Sequence, residues 1–162
     1  MKIRPEEEAD RRAVQAINEV AFGGPAEADL VERLRAAGEL VLSLVAIDDK
    51  PVGHVAFSRL ALPGLQARGS ALAPLAVLPS HRRRGIGAAL VKEALRRLAA
   101  AEEDFVLVLG DPAYYGRFGF SADAARSVST PYDGPHLQAL AFSGGALPRG
   151  PVQYAKAFAE LA

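Results

Sequence analysis

Arg82, Arg83, Arg84, Gly85, Ile86 and Gly87 set a run of guanidinium groups beside two glycines one residue apart. The apolar run Leu75-Ala76-Val77-Leu78 leads into them. After them Leu90, Val91, Ala94, Leu95 and Leu98 recur at helical spacing. A strand that turns sharply into a helix aims backbone N–H groups and the positive end of the helix dipole at one point. That point is a site for a phosphate or pyrophosphate. The glycines permit the turn and remove the Cβ atoms that would keep a ligand from the backbone. It is not a Walker loop, since no Gly-Lys-Ser/Thr follows, and the third glycine of a dinucleotide fingerprint is missing. A bare Gly-x-Gly would equally serve a tight connection with solvated arginines; the flanking strand and helix favour the anion site.

A second block, Gly110-Asp111-Pro112-Ala113-Tyr114-Tyr115-Gly116-Arg117-Phe118-Gly119-Phe120, follows the apolar strand Phe105–Leu109. Asp111 and Pro112 read as N-cap and first helical residue, and Gly119 as a left-handed helix end. The helix between is a short peg holding two tyrosines. Successive helical side chains point about 100° apart, so both cannot serve one site. On their own, both read as packing residues.

Together, Arg82-Arg83-Arg84-Gly85-Ile86-Gly87 and the Tyr115-to-Gly119-Phe120 spacing resemble the GNAT superfamily of acyl-CoA-dependent N-acetyltransferases. The resemblance runs from Ile3 to about Phe158 and is closest to the small bacterial YhbS-like branch. Ala141 departs from it, standing where that branch carries an acidic residue. The resemblance implies an α+β fold: a mixed, mostly antiparallel six- to seven-stranded sheet flanked by helices, with a splayed central strand pair. It implies acetyl-CoA as acyl-donor cosubstrate, with its pyrophosphate at Arg82, Arg83, Arg84, Gly85, Ile86, Gly87 and Ala88. The pantetheine arm would pair with the main chain of Leu75, Ala76 and Val77. Tyr115 would face the departing sulfur, while Tyr114 packs. An ordinary phenol near 10 and a thiol near 8.5 make full proton transfer uphill by roughly 2 kcal/mol, so hydrogen-bond stabilisation is the expected role. No base is assigned: Asp111 reads as a cap, His54 lies in a strand pattern, and His81 flanks the turn.

Composition agrees. The 162 residues suit a single domain, residues 1–162, long enough to bury a sizeable core. Formal net charge is zero, which argues against nucleic acid as a partner. No apolar run approaches the ~20 residues of a membrane span, and Lys2 and Arg4 lead into an acidic segment rather than a signal-peptide pattern. A cytoplasmic protein without membrane partners is expected. There is no cysteine, which removes disulfides, thiolate metal sites and an acyl-cysteine intermediate. No metal is expected. The reading is acetyl transfer from acetyl-CoA to a primary amine of a small-molecule or peptide acceptor, by direct attack in a ternary complex. A non-catalytic acyl-CoA sensor is the alternative, and an RNA- or phosphate-binding module a weaker one. An exposed sheet edge leaves room for a homodimer.

The elements that must position these residues follow from periodicity and punctuation. Ile3-Arg4-Pro5 reads as a first strand, Glu7–Ala21 and Ala26–Ala37 as helices broken at Gly23-Gly24-Pro25 and stopped at Gly38. Leu40–Ile47 and Val52–Leu62 form a hairpin over Asp48-Asp49-Lys50-Pro51. Ala71–Leu78 feeds the basic turn, and Pro74 inside it demands a bulge or an opening. In the tail, the resemblance implies two closing antiparallel strands, Leu137–Phe142 and Val152–Phe158. Composition alone equally allows helix from Tyr154 to Leu161. Ser143-Gly144-Gly145 and Pro148-Arg149-Gly150-Pro151 mark the turn between.

Overall fold

A computed structural model describes residues 1–143 and 147–161; the expected turn at Ser143-Gly144-Gly145 lies largely outside them. The chain opens with β1 (Lys2–Pro5), then α1 (Arg11–Phe22) and α2 (Ala26–Ala36). The first helix starts later than its periodicity suggests. Glu8–Asp10 forms a 3-10 turn instead, where the Asp10 carboxylate accepts from the Glu7 N–H at 2.8 Å and pairs with Arg4 at 2.6 Å. Next come β2 (Leu40–Asp48) and β3 (Lys50–Arg59), a hairpin turned at Asp49. Then β4 (Gly69–Val77), α3 (Ile86–Ala100) and β5 (Phe105–Leu109) follow as a parallel crossover. Short α4 (Pro112–Tyr115) and α5 (Ala122–Ala125) precede β6 (Val128–Ser129), β7 (Leu137–Ala141) and β8 (Gly150–Pro151).

Among the described residues one sheet has six strands in the order β1-β2-β3-β4-β5-β7, antiparallel except for β4 beside β5. Both faces are covered. Val106 and Val108 point to the face where Leu90, Val91, Ala94 and Leu98 of α3 pack with Leu44, Val55 and Phe57. Phe105 and Leu107 point to the other, against Leu30 and Leu34 of α2 and Phe158 of the tail. Each such side chain, fully buried, stabilises the fold by about 1.5–3 kcal/mol.

The tail departs from the expected second closing strand. Leu137–Ala141 does pair antiparallel with β5, but Val152–Phe158 does not form a strand. Gly150–Pro151 instead pairs parallel with Val128–Ser129, Gln153 makes a lone bridge to Ala61, and Lys156–Glu160 is 3-10 helix. Val152, Ala155 and Phe158 are all buried. Their spacing of three breaks the period of two that a strand needs.

Candidate active site

Two devices set where the central strands pair and where they part. At the closed end, buried Glu103 accepts from Arg59 Nη1 and Nη2 at 2.6 and 3.1 Å and from Arg68 Nε at 2.9 Å. This pins the start of β5 beside the start of β4. Above it the parallel ladder runs only from Gly69↔Phe105 to Leu72↔Val108. Pro74 follows, with no N–H to offer a neighbour. On the β3 side the register slips between Val55↔Leu75 and Phe57↔Leu72, an extra residue of β4. Bulge and opening therefore occur together. Leu75, Ala76 and Val77 stay paired to Val55, His54 and Gly53, while their other backbone edge faces a gap.

That edge leads directly to the basic turn. The chain reverses with left-handed backbone at Arg83 (φ 64°) and Gly85 (φ 75°), and α3 begins. Its first capping bond runs from the Ala89 N–H to the Gly85 carbonyl at 3.0 Å. The amides of Ile86, Gly87 and Ala88 thus have no intrahelical acceptor. The result is a cleft of about 540 Å³ lined by Leu75, Ala76, Val77, Arg82, Arg83, Gly85, Ile86, Gly87 and Ala88, with His81, Tyr114 and Arg117. Ala21 and Phe22, at the end of α1, close its outer side. Arg82 donates to the Ala21 carbonyl at 3.3 Å, tying that helix end to the turn. Ile86 buries its side chain, so it offers the cleft its backbone.

Arg84 is the exception among the basic residues. All three arginines are exposed, but Arg84 alone does not line the cleft. With the chain reversed at Arg83 and Gly85, three consecutive side chains cannot converge on one point.

The two tyrosines, both half-buried, do not divide as expected, since Tyr114 reaches the cleft as well as packing. Tyr114 lines the cleft, with Arg117 stacked 4.5 Å over its ring. Its hydroxyl lies 2.9 Å from the position a Cβ on Gly87 would take. Tyr115 lies deeper and is not a lining residue: its ring stands edge-on to Tyr114 and Phe120 and close against Gly110. Burial pushes its phenol up to about 12, with Tyr114 adding to the effect. Burial also raises Tyr114, partly offset by Arg117. The spacing from Tyr114 to Arg117 is i, i+3, one face of a turn. That spacing is the signal in the sequence for this pair.

Each of the three base candidates is engaged in hydrogen bonds. The Asp111 carboxylate caps α4, accepting from the Ala113 N–H at 3.0 Å. His81 is held by Asp48 at 3.1 Å and Ser80 at 2.8 Å. His54 is fully buried, and desolvation, with a smaller contribution from Arg35, lowers it to about 3, so it stays neutral. The Asn18 amide donates to His54 Nδ1 (3.1 Å), which leaves Nε2–H to donate to Ser43 Oγ (2.9 Å). Ser43 in turn donates to Glu6 (2.7 Å). This chain joins α1 to the sheet. Ala141 pairs with Phe105 at the closed end of the split, so the departure there does not touch the cleft. Among the described residues no cluster of His, Cys, Asp or Glu could hold a metal ion, and no helix is long and apolar enough to cross a membrane.

A six-stranded sheet split beside a bulged strand, with an anion-binding turn at its mouth, defines an acyl-CoA-dependent acyltransferase. Residues 11–120 match the acetyltransferase (GNAT) family, and the chain belongs to it, as an N-acetyltransferase. It is 39% identical over 136 residues to the N-acetyltransferase YhbS of Escherichia coli, covering 83% of this chain and 81% of that one. The crystal structure of E. coli YhbS in complex with CoA superposes with a TM-score of 0.91 at 36% identity, over 98% of this chain and 91% of the other. A GNAT acetyltransferase from Brucella melitensis in complex with acetyl-CoA gives 0.84 at 37% identity, over 97% of each chain.

Proposed function

We propose that the cleft holds acetyl-CoA and that this single domain transfers the acetyl group to the neutral form of a primary amine by direct attack. The observation that carries this reading is the continuity of the cleft. A free backbone edge at Leu75–Val77 runs into unpaired amides at Ile86–Ala88, matching an extended amide-bearing arm that ends in a pyrophosphate. Two relatives solved with CoA and acetyl-CoA support it. Arg82 and Arg83 supply charge-assisted contacts to phosphate. Freed N–H groups of β4 polarise the thioester oxygen. With no cysteine in the chain, amine nitrogen bonds to the thioester carbon, the C–S bond breaks, and the ammonium proton passes to solvent.

Tyr115 donates a hydrogen bond to the departing thiolate in this reading. At about 12 its phenol is protonated at any working pH. Full transfer to a thiolate near 8.5 is uphill by about 5 kcal/mol, so donation without transfer is its role. A second reading rests on the lining of the cleft: Tyr114, whose hydroxyl faces Gly87, takes that place.

Thermal stability with acetyl-CoA, CoA, ATP and no ligand tests the site. A ligand at a hundredfold excess over its Kd adds about 2.7 kcal/mol. Stabilisation by both CoA species and not by ATP is expected; none from either removes the proposal.

A further inference from the structure

A second cavity opens across the split. It measures about 260 Å³ and is walled by Leu107 and Leu109 of β5, Tyr132, and Tyr154, Phe158 and Leu161 of the tail. β4 contributes Ala71, Leu72 and Ala73 to it and Leu75, Ala76 and Val77 to the cofactor cleft, with Pro74 between. The two spaces thus meet the same strand at the point where the ladder opens. The aromatic wall is organised: Tyr132 and Tyr154 stand edge to face at 4.9 Å, Tyr154 and Phe158 at 5.2 Å.

We infer that this cavity receives the acceptor, and that the acceptor is a small primary monoamine carrying an aromatic or branched apolar group. The inference rests on the acetyl-transfer reading and adds the substrate class. Size is the first argument: a cavity of roughly 150 Å³ accepts a benzene ring, so this one holds a ring and a short arm. Charge is the second. Among the described residues no Asp or Glu lines the cavity. Asp133, next to Tyr132, turns Oδ1 to the Thr130 N–H at 2.9 Å and Oγ1 at 3.1 Å and helps raise the Tyr154 phenol, so one carboxylate stands behind the wall where a polycation would need several. A polyamine or aminosugar would leave several ammonium groups without partners in an apolar space, which is strongly unfavourable. A monoamine that enters neutral buries its apolar group, and neutral is the form that attacks.

The test measures CoA release from acetyl-CoA with 2-phenylethylamine, isopentylamine, spermidine and kanamycin, alongside thermal stability with acetyl-CoA. The apolar amines are expected to show kcat/KM at least about tenfold above the polycations. Tyr132→Ala should raise KM for 2-phenylethylamine about tenfold while acetyl-CoA stabilises the variant as before. Leu109→Asn, at an exposed strand end, should shift KM the same way if Tyr132→Ala fails to fold. Faster turnover of spermidine or kanamycin overturns the inference, as does no amine turnover in a protein that acetyl-CoA stabilises. So does a preference for octanoyl-CoA over acetyl-CoA, which would give the cavity to the donor's chain. Absence of stabilisation by acetyl-CoA overturns the acetyl-transfer reading instead.

Discussion

The Tyr114 hydroxyl sits 2.9 Å from where Gly87 would carry a Cβ, so the wall of the cleft and the start of α3 meet at one atom. Gly87→Ala tests that contact. The backbone there is not left-handed, and the obstructing atom is the tip of a movable side chain. Alanine is also the better helix former by about 1 kcal/mol. The melting temperature should hold or rise slightly while acetyl-CoA affinity falls about tenfold, an added methyl group in a close-fitting site. Titration calorimetry beside thermal melting measures both. Unchanged affinity would mean the cofactor does not approach this turn.

The tyrosines separate by kinetics. Tyr115→Phe should lower kcat about a hundredfold, the lower end of what a positioned proton donor contributes, with acetyl-CoA affinity unchanged. Tyr114→Phe should alter affinity and leave kcat within a few-fold. The reverse pattern in steady-state assays transfers the donor role to Tyr114.

The pH profile carries a sign. Tyr115, raised to about 12 by burial, stays protonated across the assay range and contributes no falling limb there. The acceptor must lose its proton to attack. The rate at subsaturating amine should therefore climb with pH as the neutral fraction grows, with no decline near pH 10. A decline near 10 would indicate a phenol with an ordinary pKa at the reaction centre.

Acid should destabilise the fold through His54. Its folded-state value lies near 3 against 6.5 when free, so the unfolded chain binds the extra proton between them. Stability is fully present above 6.5 and falls below it, by about 1.4 kcal/mol per pH unit. Carboxylates held below their ordinary values by arginine partners, Glu103 and Asp10, add their loss only near and below 4.5. The interval from 6.5 to 4.5 thus isolates the imidazole. Urea midpoints across it should slope in the native protein and flatten in His54→Leu.

The legible parts were those where local chemistry and tertiary need coincide. Asp111 caps α4, and Gly119 ends the 3-10 turn Gly116–Phe118 that continues it, as their types demand. Gly85 with the run before it marks the turn, and Pro74 announces both the slip in register and the gap. The illegible parts depend on contacts distant in sequence. Tyr114 and Tyr115 are adjacent and chemically identical, and only packing of Gly110, Phe118 and Phe120 decides which ring goes inward. Val152, Ala155 and Phe158 read as strand or helix until α2 and β5 supply the surface they cover. His54 sits in a good strand pattern, yet its neutrality comes from burial and its tautomer from Asn18 and Ser43 on two other elements.

Pro74 has one more consequence. A sheet with an unpaired seam would ordinarily anneal, because each N–H facing a carbonyl across a narrow gap gains by closing on it. A residue with no N–H, placed two positions beyond Leu72 of the last pair Leu72↔Val108, has no donor to give the next rungs, and the zipper does not advance. The slot is thus built in advance of its occupant, and binding requires no prising apart of strands. If acetyl-CoA binds there as proposed, its affinity reflects what the arm gains along Leu75–Val77, not what the sheet would lose.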